Sequence, residues 1–181
     1  MDVLAHALWA GAGLALGRRR IAFTPRVAAL TVAAAVAPDL PHLFPIMAWA
    51  IFGDGSMQAL GSYAVALPGA EPAMPPVIDT LSHTLHCVTH SAIVAGLVTL
   101  LLRPWMRTAW LPLAGWWSHI VIDVFTHSAD YYPSPVLYPI TRSGFDGVAW
   151  NAPWFMLANY LALAGAYLWL WRSLRRRRPR P

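Results

Sequence analysis

Residues 81–102, 108–122 and 147–171 run apolar between charges, at lengths near the roughly 20 residues a helix needs to cross a hydrocarbon layer of about 30 Å. In lipid no water is at hand for backbone N–H and C=O groups, so runs this long are expected to be helices. Two shorter apolar runs, 3–17 and 27–52, precede them. Composition agrees: of 181 residues 57% are hydrophobic, 12% are charged and ten are Trp, which is not the balance of a soluble domain. The expectation is an all-α integral membrane bundle of about five transmembrane helices, forming one domain over 1–181.

The helices are expected at about 2–17, 24–52, 81–102, 105–126 and 150–171. The second is too long for one straight crossing. In "APDLPHLFP" Pro38, Pro41 and Pro45 remove backbone donors and disfavour the helix before them, so it should break over Pro38–Pro41, near Asp39. Freed backbone groups at that depth are tolerated only beside protein or a wet cavity, so the break points to a polar interior. Residues 1–17 lack the basic start and small-residue cleavage site of a signal peptide and are kept as a helix. Cys87 is the sole cysteine, which excludes an intramolecular disulfide. The loop 53–80, with "LPGAEPAMPP", has no periodic pattern and is expected to be irregular, a lid over whatever lies beneath.

All 13 basic residues are Arg, and all but Arg142 fall on one side of the expected bundle. By the positive-inside rule that side is the cytoplasm, which puts the N-terminus outside and the C-terminus inside. Trp49, Trp105, Trp110, Trp150 and Trp154 fall near helix ends, where they anchor in the headgroup zone. The basic tail 172–181 reads as a cytoplasmic anchor for anionic lipid, and nucleic acid is disfavoured as its partner.

Polar residues remain inside these apolar spans: His6, Asp39 and His42, then His83, His86 and His90, then His119, Asp123 and His127. Each falls in the outer half or at the outer end of its helix. Positions three, four or seven apart share a helical face, so His83, His86 and His90 form one stripe and His119, Asp123 and His127 another. A carboxylate at mid-bilayer costs roughly 2.5–3.5 kcal/mol and normally faces partners inside the bundle. Imidazole and carboxylate together are the usual ligands of Zn²⁺ and also suit Mn²⁺ or Fe²⁺. A divalent ion, Zn²⁺ first, is therefore expected, in an open, catalytic-type site. His42 could simply cap the break, and His86 could orient a ligand from behind. Ser91 and Ser118 read as serines bonded to backbone carbonyls. Arg142 could meet a substrate phosphate, but pairing with Asp130 or Asp146 is the favoured expectation.

The stretches "MDVLAHALWAG", "VAPDLPHLF", "VTHSAIVAGL", "GWWSHIVIDVFTHSADYYPSPVLYPI" and "FDGVAW" resemble the bacterial family of inner-membrane-associated metal-dependent hydrolases, described also as LexA-binding. The resemblance covers most of the chain outside 53–80 and the Arg tail. It implies ligands at His6, at Asp39 of the PD motif, at His90 of the THS motif and at His119 and Asp123 of the SHxxxD motif, with His127 on a THS variant. Two departures are clear: Pro41 stands where many members carry a second Asp, and Cys87 where many carry Arg. The ligand set is also distantly similar to the all-helical zinc-dependent phospholipase C and nuclease group, which suggests phosphoester chemistry.

The leading expectation is a membrane-embedded metal-dependent hydrolase of the bacterial inner membrane. Its metal ligands would be His6, Asp39, His83, His90, His119, Asp123 and His127, with Asp123, His127 and His86 as catalytic groups. A membrane lipid or lipid-linked phosphoester would enter sideways. The alternatives are a metal-ion or proton transporter, for which a Pro-broken helix is equally apt, and a non-catalytic adaptor with a structural metal.

Overall fold

A computed structural model describes residues 1–66, 70–130 and 133–176. Among the described residues the protein is all-helical and has no strand. Its α-helices are α1 Val3–Gly17, α2 Pro25–Val36, α3 Leu43–Phe52, α4 Met57–Val65, α5 Pro76–Thr89, α6 Ala92–Leu101, α7 Met106–Thr126 and α8 Pro153–Arg175. Two short 3₁₀ turns, Ala37–Asp39 and Arg103–Trp105, join neighbours. The end of the Arg tail, 177–181, where the anionic-lipid contact is expected, lies outside the described residues.

Local chemistry accounts for where the helices begin. Asp2 accepts from Ala5 N (2.9 Å), Thr24 from Val27 N (3.2 Å), Ser56 from Ala59 N (3.0 Å) and Ser91 from Val94 N (3.1 Å), each capping a helix N-terminus. Pro25, Pro76 and Pro153 open α2, α5 and α8, where a missing N–H costs nothing.

The expected break in the second helix is present. Pro38 sits in the 3₁₀ turn, and α2 and α3 meet at a bend of 67°. Two other features depart from expectation. The helix expected over 81–102 is two helices, α5 and α6, bent by 55° at His90 and Ser91, without a proline. The loop expected over 53–80 contains α4, capped by Ser56, and the first residues of α5. Ser56 and Pro76 are start signals that the Gly and Pro content around them outweighed.

Among the described residues α8 alone is long and apolar enough to cross a membrane; counting each bent pair as one span raises this to three, short of the five expected. α1, at 15 residues, is apolar but short. α7 has 21 residues, but His119 and Asp123 lower its hydropathy. These are the same polar groups that make it interesting.

Packing is arranged inside out. Many of the buried apolar residues are small, among them Ala5, Ala35 and Ala95, whereas Leu97, Leu100, Leu101, Leu157, Leu161 and Trp169 face outward. Large exposed apolar surface of this kind is rare on soluble monomers and is what a bilayer accepts. α2 lies against α7, and Gly115 makes their approach possible: a Cβ there would stand 2.3 Å from Thr31 O. The segment after α7 folds back over its end, with Gly147 N, Val148 N and Trp150 N donating to His127 O, Phe125 O and Thr126 O. That segment also ties down α6, where Ser91 Oγ donates to Tyr138 O (2.6 Å).

Candidate metal centre

Each break brings one polar side chain inward, and α7 brings two. Asp39 ends the turn after α2, His90 caps α5, and His119 and Asp123 lie one turn apart on α7. These four are buried, and one ligand atom from each lies within 4.8 Å of all the others.

The separations fit a small cation. His90 Nε2 lies 3.0 Å from His119 Nε2, 3.2 Å from Asp123 Oδ2 and 3.5 Å from Asp39 Oδ1. His119 Nε2 lies 3.1 Å from Asp123 Oδ2 and 3.4 Å from Asp39 Oδ1. Four ligands about 2.0–2.1 Å from a tetrahedral centre stand about 3.4 Å from one another.

Both imidazoles are also oriented for ligation. His90 Nδ1 lies 2.9 Å from His86 O, and His119 Nδ1 lies 2.8 Å from Ala35 O. A carbonyl oxygen only accepts, so each Nδ1 carries a proton, and in the neutral ring each Nε2 turns a lone pair to the centre. Two lone pairs and two carboxylate oxygens at these distances repel one another unless positive charge lies among them. Asp39 Oδ2, buried and without a hydrogen-bond partner among the described residues, adds a further donor atom. The cluster can therefore hold a divalent metal ion by the chemistry of its donor set.

Two more histidines attend Asp123. His6 Nε2 lies 2.9 Å from Asp123 Oδ1, and the His6 ring stacks on that of His119 with centroids 3.9 Å apart. His127 Nε2 lies 3.5 Å from Asp123 Oδ2. The Met1 ammonium donates to Asp123 Oδ1 and lies 3.3 Å from His127 Nε2. His86 packs its ring on His90, centroids 3.9 Å apart, and its backbone carbonyl orients that ligand.

His83 stands elsewhere. It is 42% exposed, with Nε2 3.6 Å from Asp79 Oδ1 on its own helix. Its separation from the cluster follows from helix rise: seven residues share a face but lie about 10 Å apart along the axis. His42 is not in the cluster either; its carbonyl accepts from Ser82 Oγ (2.8 Å), and its ring lies edge-on to His86. Arg142 forms no ion pair with Asp130 or Asp146 among the described residues, contrary to expectation, and Asp146 Oδ1 instead accepts from Ala129 N (2.8 Å). Ser118 Oγ donates to Gly115 O (2.7 Å).

A cavity of about 350 Å³ adjoins the cluster, with Asp39, His86 and His127 on one side and Leu4, Leu43 and Tyr63 on the other. Arg142 does not line it; it borders a separate pocket of about 280 Å³ with Asp79, His83 and His86. The Ala35 carbonyl, Tyr63 and Leu4 carry no mark of function in the sequence, because a backbone oxygen or an apolar wall acquires its role from the fold.

No protein-family model matches this chain, and no curated protein or solved structure matches it. What defines the protein is thus its own geometry: a buried His/Asp centre able to hold a metal ion, inside a body that is all-helical among the described residues and has one membrane-length helix there.

Proposed function

We propose that the protein is a multi-pass, membrane-embedded metal-dependent hydrolase of the bacterial inner membrane, acting on a lipid or lipid-linked ester or phosphoester. One observation carries the reading: His90 Nε2 and His119 Nε2 lie 3.0–3.5 Å from each other and from a carboxylate oxygen of Asp39 and of Asp123, both Nδ1 atoms are committed to carbonyls, and Asp39 borders a cavity walled by Leu4 and Leu43. Four protein ligands fill a tetrahedral shell, so substrate would be admitted by expansion to five ligands on the side of Asp39, the ligand that borders the cavity. The placement of Arg at one end supports the orientation with the N-terminus outside. The likeness of the PD, THS and SHxxxD motifs to inner-membrane metal-dependent hydrolases belongs to the same proposal.

In this reading Asp39, His90, His119 and Asp123 hold the ion, Zn²⁺ first by its ligand preference. The bound ion supplies Lewis-acid polarisation of the scissile group and makes water nucleophilic at neutral pH. The protein does the rest. Ala35 O and His86 O keep the two imidazoles in the ligating tautomer. His127, on the cavity wall, holds or passes a proton at Nε2, and His6 steadies Asp123 through Oδ1. Leu4, Leu43 and Tyr63 exclude water around an apolar substrate. Among the described residues no Arg lines this cavity, so a phosphoester there would meet its compensating charge at the ion and at the Met1 ammonium.

The rival is a cluster neutralised by protons, with imidazolium rings against both carboxylates and no ion. Metal analysis of detergent-purified protein separates the two. Close to one equivalent of metal, lost in His119→Ala, is expected, together with chelator-sensitive cleavage of lipid esters or phospholipids. Metal-free protein that keeps its fold overturns the reading. Ion uptake into liposomes without ester cleavage replaces it with transport.

A further inference from the structure

A second and larger cleft, about 650 Å³, runs between α1, α2, α7 and α8. Trp9, Leu14, Phe23, Leu111 and Ile122 make it apolar. It follows α1 from Met1 to Gly17, about 24 Å at 1.5 Å per residue. That length exceeds one leaflet's share, about 15 Å, of a hydrocarbon layer of about 30 Å. Counting all the empty space between its walls, about 1280 Å³, the cross-section over that length is about 53 Å², against about 80 Å² for a helix 10 Å across. The slot suits a hydrocarbon chain and is too narrow for a partner helix. Glycines keep it open: a Cβ added at Gly13 or at Gly17 meets no atom within 4 Å.

The cleft contains one unmet donor. Asn159, 8% exposed, lines it, and its Oδ1 accepts from Trp9 Nε1 (2.9 Å). An indole N–H only donates, so the amide orientation is determined and Nδ2 is left as the donor. Asn159 Nδ2 is buried and has no hydrogen-bond partner among the described residues. The cleft's hydroxyls are otherwise engaged, Thr31 with Val27 O and Ser118 with Gly115 O. An amide donor left unsatisfied in apolar surroundings is costly. An oxygen acceptor at the head of an apolar chain would satisfy it by displacing the side chains that cover Nδ2.

We propose that this cleft binds one acyl chain of a membrane glycerophospholipid, whose ester carbonyl accepts a hydrogen bond from Asn159 Nδ2. This goes beyond the metal reading and needs no ion, so either stands if the other fails. Met1 borders both cavities, which places the lipid's head beside the metal centre.

The test titrates the full chain in detergent with dipalmitoyl phosphatidylglycerol and, separately, with its dialkyl ether counterpart, which lacks carbonyls, and counts bound lipid by native mass spectrometry. Wild type should bind the diester about tenfold more tightly than the diether, the size of one hydrogen bond in lipid. Gly13→Phe and Gly17→Phe fill the cleft from two positions and should lose both lipids. Gly165→Phe adds the same bulk at another open position on α8, outside the cleft, and should match wild type. Asn159→Leu also strands the Trp9 indole, so it is compared in a Trp9→Phe background, where it should erase the ester preference. If both cleft-filling variants, folded by thermal melting, bind lipid within twofold of wild type, the site is elsewhere and the proposal fails. Equal binding of diester and diether by wild type overturns it as well.

Discussion

Two helices of this protein are bent, and the bends have different origins. Between α2 and α3 the chain turns by 67° where Pro38 and Pro41 forbid a regular helix. Between α5 and α6 it turns by 55° with no proline, at His90 (φ −100°, ψ 6°) and Ser91 (φ −81°, ψ 123°). The first bend is written in covalent structure. The second is held by contacts: Ser91 caps α6, Trp116 Nε1 donates to Thr89 O (2.9 Å), and Thr89 Oγ1 donates to Pro38 O (2.9 Å). That last bond joins one bend to the other. Each bend delivers one ligand, Asp39 or His90, to the pair that α7 presents. An interrupted helix at this depth is tolerated where its freed groups find polar partners, and here the ligands and their partners coincide.

If the bends are equivalent halves of one site, Asp39→Ala and His90→Ala should be equally severe. Each is expected to weaken metal binding by more than about 100-fold, beyond the effect of losing an orienting partner, as read by competition with a chromogenic chelator. Near-wild-type affinity in Asp39→Ala alone would break the symmetry and shift the site to His90, His119 and α7. Thr89→Val removes the bond between the bends without touching a ligand; about ten- to 100-fold weaker binding is expected with helical content unchanged in circular dichroism. Ser91→Ala removes the cap of the second bend and its bond to Tyr138 O, and touches no ligand. It should cost about 1 kcal/mol of stability as a lost cap, visible as a lower melting temperature, with metal affinity within about threefold of wild type.

The same contrast explains what could be foreseen. The proline bend was legible because proline acts on its own neighbours. The bend at His90 was not, since "CVTHSAIV" continues an apolar helical pattern and its interruption depends on Thr89, Trp116 and the segment after α7. Asp39, His90, His119 and Asp123 stood out as polar groups in apolar runs, a signal independent of exact boundaries. Asn159 carried that signal too, inside an apolar run, but an uncharged amide among Leu and Ala draws less notice than seven histidines. The cavity walls had no such mark, because Leu4 and Tyr63 matter only for where they come to lie.

The smallest expected effect concerns His83, which shares a helical stripe with His90 but not its surroundings. Shared periodicity assigns a face and not a depth, and at 1.5 Å per residue the two positions are about 10 Å apart along the axis. His83 meets Asp79 in a half-exposed pair of the kind that contributes at most about 1 kcal/mol. His83→Ala should therefore leave metal affinity within about twofold of wild type and shift the melting temperature little. A loss comparable with that of His90→Ala would mean that α5 slides along its axis when metal is bound, bringing His83 to the depth His90 now holds and displacing the second bend. The prediction thus bears on whether that bend belongs to the loaded protein as firmly as the one made by proline.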